Sequence, residues 1–194
     1  NGFISKMDHS IWEQVCQILA SRHDRGLPEI PISVNLSRRS IFNSSLYDEI
    51  VALVEKYGIE PRLFRIEVTE SSYTENIDLV ISMVTRLQDY GFTVLMDDFG
   101  SGYSSFNAFS DIPVDILKAD MVFMRNLERN PRVASVFTSI VNMAHSLGIP
   151  VIAEGVETQE QYEFLHSVGC DYAQGYYCAR PMDPDAFEAH VDGR

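Results

Sequence analysis

Short apolar runs rich in branched residues alternate along this chain with stretches of helical spacing, and a polar residue stands at or near the end of each run. The runs occupy residues 30–36, 64–69, 93–97, 114–118, 149–154 and 170–174. Branched and aromatic side chains suit a pleated, buried surface, so these runs read as strands. Between them apolar residues recur at intervals of three and four, which predicts helices over 10–20, 46–57, 77–90, 133–147 and 159–167, and another after Pro184. Ser10 suits a helix start, while Gly58, Gly91 and the Gly148–Pro150 stretch suit helix stops. Strands separated by helices need crossover connections, which make a parallel sheet: either an open doubly wound sheet or a barrel.

The residues at the strand ends narrow that choice. They are Asn35, Glu67, Asp97 with Asp98, Lys118, Glu154 and Gln174, spaced 20 to 36 residues apart. One strand-helix repeat takes roughly 30 residues, so the polar residues recur at about one per repeat. In a TIM-type (β/α)8 barrel all the strands point their carboxyl ends to one face, where such enzymes keep their active sites. The expected fold is therefore that α/β barrel, with six of its eight strands in this sequence.

Four carboxylates and an amide gathered at one rim would repel each other, and any anionic substrate, unless cations neutralise them. An all-oxygen donor set without Cys or His selects hard ions, Mg²⁺ or Mn²⁺. Two such ions about 3.5–4 Å apart suit in-line displacement at phosphorus, so phosphodiester hydrolysis is the leading reaction class.

Composition removes several alternatives. The 194 residues fit one domain, and 45% apolar residues supply a core. Asp and Glu outnumber Lys and Arg by 28 to 15, a net charge of −13, which argues against a nucleic-acid polymer or an anionic membrane as partner. Cys16, Cys170 and Cys178 are odd in number and show no CxxC spacing, so a reducing, cytoplasmic setting is expected. No apolar run approaches the ~18 residues of a membrane span, although the parent protein could be tethered by a segment elsewhere. His9, His23, His145, His166 and His190 lack ligand spacing, and GSG at 100–102 lacks the GxGxxG pattern of a dinucleotide loop.

Six strings in fixed order carry a family resemblance: SVNLSRR (33–39), EVTES (67–71), MDDFGSGYSS (96–105), LKAD (117–120), AEGVET (153–158) and QGYYCARP (174–181). Together they resemble the EAL-domain phosphodiesterases, which hydrolyse the bacterial second messenger cyclic di-GMP. The resemblance implies that Asn35, Glu67, Asp97 and Asp98 are metal ligands, with Asp97 bridging two ions. It makes Glu154 and Lys118 catalytic, Glu154 near the nucleophilic water as base or as second-metal support and Lys118 orienting water or offsetting developing charge, and it makes Gln174 a lining residue of the substrate pocket. Arg39, placed just after a strand end, is a candidate for meeting a phosphate. Glu70 and Glu157 would support the site from behind, Glu70 by anchoring the loop that holds Gly100 and Gly102. In the family this loop, residues 99–105, couples the site to a homodimer interface. Ser101 stands where Thr is commoner and Ala119 where a branched residue is, changes that keep a hydroxyl and remove bulk respectively.

The same resemblance sets an expectation about extent. The family's first two strands, the second with the Glu-Ala-Leu motif and its metal-binding glutamate, have no counterpart, and no such string occurs in the sequence. Residues 1–194 are thus expected to be the C-terminal three quarters of an EAL domain, attached to a sensory or cyclase domain. Without the upstream glutamate this stretch alone is expected to be a poor enzyme. Two functions compete: a phosphodiesterase opening cyclic di-GMP to linear pGpG by two-metal, in-line attack of water, and a degenerate EAL module that binds cyclic di-GMP without turnover. An unrelated metal-dependent barrel hydrolase is a weaker third reading.

Overall fold

The computed structural model describes residues 3–74, 76–101 and 113–193. They fall into two units, Asn1–Lys118 and Ala119–Arg194.

In the first unit, α1 (Phe3–Asp24) leads to β1 (Ile32–Leu36), followed by a single helical turn, α2 (Arg38–Ile41), and by α3 (Leu46–Tyr57). Then come β2 (Phe64–Thr69), α4 (Ile77–Tyr90), β3 (Val94–Phe99) and β4 (Ile116–Ala119). Strand order follows chain order, with β1 and β2 parallel and β2 and β3 parallel. Phe64, Ile66 and Val68 of β2 are fully buried, as are Val94 and Leu95 of β3 and Leu117 of β4. Burial of neighbouring residues on both strand faces is the condition of a parallel sheet covered on either side. The expected stops hold: Gly58 and Gly91 end α3 and α4 in the left-handed conformation, at φ 63° and 111°, which costs glycine least.

Helix α1 runs four residues past the predicted end at Ala20. Its buried face continues through Trp12, Val15, Cys16 and Leu19 to Arg22, which is only 2% exposed and donates from Nη2 to the Pro28 carbonyl at 3.2 Å. A charged residue breaks an apolar spacing pattern even when the fold buries it. Helix α2 is not among the predicted helices; there Ser37 accepts from the Ser40 N–H and caps one turn.

The second unit contains α5 (Val122–Asn126), α6 (Pro131–Ser146), β5 (Val151–Glu154), α7 (Gln159–Ser167), β6 (Tyr172–Gln174) and α8 (Pro184–Asp192). β5 and β6 are parallel. A capping box starts α7: the Thr158 side chain accepts from the Gln161 N–H, and the Gln161 side chain accepts from the Thr158 N–H. Gln161 also donates to the Met124 carbonyl at 3.2 Å, tying α7 to α5. Helix α6 buries Phe137, Ile140, Val141 and Ala144, whereas Val136, and Leu147 just past the end of the helix, are more than half exposed. The buried stripe is thus narrower than the apolar pattern. Among the described residues six strands occur, as predicted, and no helix is long and apolar enough to cross a membrane.

Candidate active site

Parallel pairing sets the strand ends of the first unit side by side. Asn35 on β1 is in register with Glu67 on β2, and Thr69 of β2 is in register with Asp97 of β3. β4 then brings Lys118, whose Nζ donates to Glu67 Oε2 at 2.8 Å and to Asp97 Oδ1 at 2.9 Å. All three residues are less than 9% exposed. Desolvating three charges is costly, and a buried pair holds only when each charge keeps its partner. One ammonium cannot balance two carboxylates, and Asp98 adds a third negative charge.

Asp97 and Asp98 present carboxylate oxygens within 4.8 Å of each other. At an effective dielectric of about 20 their repulsion is on the order of 3 kcal/mol. Asp98 also holds a left-handed backbone, φ 59°, the one non-glycine residue with positive φ among the described residues. That conformation costs roughly 1–2 kcal/mol, and Asp tolerates it better than most side chains. It turns the chain sharply after β3, and the Ser101 N–H closes the turn on the Asp98 carbonyl at 3.1 Å. Glu70, directly after β2, accepts the Gly100 N–H on Oε2 at 3.0 Å. Burial pushes the Glu70 carboxyl above its ordinary range; the Gly100 N–H opposes that shift and the Asp98 charge adds to it.

Asn35 is exposed, and its backbone carbonyl accepts the Trp12 indole N–H at 3.3 Å. Arg39 lies exposed on α2. Asp120, two residues after Lys118, accepts the Val122 N–H at 2.6 Å. Gly102 and most of the 99–105 loop lie outside the described residues.

The second unit places Glu154 and Gln174 in register at the ends of β5 and β6. The segments beyond them lock together, because the Val156 N–H donates to the Gln174 carbonyl at 3.1 Å and the Tyr177 N–H donates to the Val156 carbonyl at 2.9 Å. A side chain at Gly175 would fall 2.2 Å from the Val156 oxygen, so only glycine permits this approach. Glu157 is exposed in the loop before α7, and its N–H donates to Gln161 Oε1 at 2.7 Å. Glu154 is half-buried and Gln174 exposed.

The donors of the first unit suit a hard divalent cation. They are carboxylate and amide oxygens, they carry surplus negative charge, and Glu67 and Asp97 each use only one of two oxygens on Lys118. Sequence reasoning missed a buried polar pair on α1 and α2: Ser40 donates to Asp8 at 2.8 Å.

Comparison with known proteins bears on the family and the fold. A family model described as the EAL domain matches residues 1–181. The cyclic di-GMP phosphodiesterase NbdA of Pseudomonas aeruginosa is 35% identical over 188 residues, 97% of this chain and 24% of that protein. The bifunctional diguanylate cyclase/cyclic di-GMP phosphodiesterase MucR of the same organism is 31% identical over 190 residues, 98% of this chain and 28% of that protein. A solved structure described as PaMucR phosphodiesterase in complex with c-di-GMP superposes with a TM-score of 0.91 at 31% identity, covering 96% of this chain and 75% of that one. The chain thus spans about a quarter of the length of these curated relatives. The fold class is α/β, a portion of the TIM-type (β/α)8 barrel.

Proposed function

Because the chain belongs to the EAL domain family, we propose that it is the greater part of a phosphodiesterase domain that opens cyclic di-GMP to linear pGpG. The observation that carries this reading is the buried Glu67–Lys118–Asp97 cluster at adjacent strand ends, with surplus negative charge and spare carboxylate oxygens. Asn35, Glu67, Asp97 and Asp98 would hold Mg²⁺ or Mn²⁺, two ions in the full reading, with Asp97 the shared ligand. Such ions supply charge neutralisation at the phosphate and a more acidic water.

The chain's own residues do the rest. Lys118, fixed by two carboxylates, keeps a positive charge at the cluster and offsets charge that builds on the phosphate oxygens. Glu154 takes the proton from the attacking water as the water oxygen bonds to phosphorus, and the ribose 3′ oxygen leaves in line as its P–O bond breaks, taking up a proton from solvent. Gln174, held beside Glu154 by the Val156–Gln174 hydrogen bond, lines the substrate pocket. Arg39 meets a phosphate. Glu70 anchors the turn after Asp98 through Gly100, and Glu157 supports the segment after β5. A homodimer through the 99–105 region, an attached sensory or cyclase domain and a cytoplasmic setting belong to the same reading.

Product analysis tests it: the intact protein with Mg²⁺ or Mn²⁺ should convert cyclic di-GMP to pGpG on a chromatographic trace. Tight binding of cyclic di-GMP without product in the metal-loaded protein would identify a receptor instead. Absence of both would point to another hydrolase of this fold.

A further inference from the structure

Two hydrogen bonds from α1 reach the segment that carries Asn35. The Trp12 indole N–H donates to the Asn35 carbonyl at 3.3 Å, and one turn earlier on the same helix Asp8 Oδ2 accepts from Ser40 Oγ at 2.8 Å. Asp8 is 8% exposed and Ser40 4% exposed, so this carboxylate is held away from solvent on one hydroxyl. Ser37 Oγ lies 2.7 Å from Ser40 Oγ. A hydroxyl has one proton, and that of Ser40 goes to Asp8; Ser37 must therefore donate to Ser40. The Ser37 oxygen then accepts the Ser40 N–H, at 3.2 Å. The hydrogen bonds run in one direction, from Ser37 through Ser40 to a buried carboxylate, and they close the turn α2 directly behind β1.

We propose that Asp8 and Trp12 are positioning residues for the cation site, fixing both sides of the Asn35–Ser40 stretch so that the Asn35 amide is presented in one orientation beside Glu67. The inference rests on Asn35 serving as a cation donor in the reading above. A ligand amide exposed at a strand end is otherwise free to rotate, and partners that orient a ligand typically change metal affinity about 10- to 100-fold when removed. Neither residue touches cation or substrate; both act through the backbone of β1 and α2.

The test uses the intact protein and the metal alone. Mn²⁺ binding is measured by calorimetry, beside the melting temperature, for wild type, Trp12→Phe, Asp8→Ala and Asp8→Asn. Trp12→Phe keeps the ring and removes the N–H; Asp8→Asn keeps an acceptor for Ser40. The expected result is a Kd for Mn²⁺ raised about tenfold in Trp12→Phe and Asp8→Ala, with Asp8→Asn restored most of the way. Folded variants that bind Mn²⁺ as wild type does, with only the melting temperature lowered, would overturn the proposal and leave a structural role. If Asp8→Ala does not fold, an unchanged Kd in Trp12→Phe overturns it alone. Wild type that binds Mn²⁺ but leaves cyclic di-GMP intact defeats the functional reading while the positioning role stands. Wild type that takes up no Mn²⁺ defeats both.

Discussion

Lys118 Nζ stands 2.8 Å from Glu67 Oε2, joining residues 51 apart in sequence, and both side chains are at most 9% exposed. Lys118 is the counter-charge for Glu67 and for Asp97 alike. Lys118→Met would leave two buried carboxylates without it, and breaking a buried pair costs about 3–5 kcal/mol. Thermal unfolding should show that loss in metal-free buffer. Added Mn²⁺ should recover more stability in the variant than in wild type, since the cation replaces the missing charge. Equal recovery in both proteins would mean that the carboxylates do not share a cation.

A second expectation concerns Gly175. Alanine there would place Cβ 2.2 Å from the Val156 carbonyl oxygen and 2.3 Å from its nitrogen, a clash with backbone that no rotamer relieves. Overpacking of this kind costs typically 1–3 kcal/mol, and here it also forces apart the segments that follow Glu154 and Gln174. Urea unfolding of Gly175→Ala should show the destabilisation; a midpoint equal to wild type would refute the clash.

The three thiols should differ in reactivity. Burial pushes Cys16 up to about 12, with the Glu13 charge adding to it, and pushes Cys170 up to about 11, while Cys178 is exposed. At pH 8 the Cys170 thiolate is on the order of one part in a thousand, and the thiolate is the reacting form. Titration of the folded protein with a chromogenic disulfide should give one fast thiol and two slow ones. Two fast thiols of equal rate would contradict the burial.

Much of this fold was legible because its punctuation is local. Gly58 and Gly91 announce left-handed helix ends, and the 64–69 run matches β2 at both boundaries, because Phe64, Ile66 and Val68 alternate with polar residues as a strand requires. The identities of the strand-end residues were legible for the same reason. Their partnerships were not. Asp8–Ser40 spans 32 residues and Glu67–Lys118 spans 51, and no spacing rule links positions that meet only after folding. Helix α5, five residues long, is too short for a periodic pattern to register.

Acid should reveal one surface contact. Asp171 accepts from the Val151 N–H at 2.8 Å and pairs with His145 Nε2 at 2.7 Å. Burial pulls its carboxyl upward, but the His145 side chain and the Val151 N–H outweigh that and hold it below the usual range. The folded state therefore binds this proton less readily than the unfolded chain. Its stabilisation is present above the unfolded value, about 3.9, and is lost as pH falls through the lower folded value. Melting curves of Asp171→Asn should lie below wild type at pH 6 and converge with it as pH falls through the lower folded value. A constant gap across that range would exclude the ionised carboxylate as its source.

Oxygen donors from separate strands of this chain are proposed to hold divalent ions, with Asp97 their shared ligand. Calorimetric titration of the intact protein with Mn²⁺, run beside Asp97→Asn, tests it most directly. Wild type should show saturable uptake, and the variant a Kd at least tenfold weaker, about 1.4 kcal/mol or more of lost binding. Equal affinity in the two proteins, or no uptake by either, would contradict it.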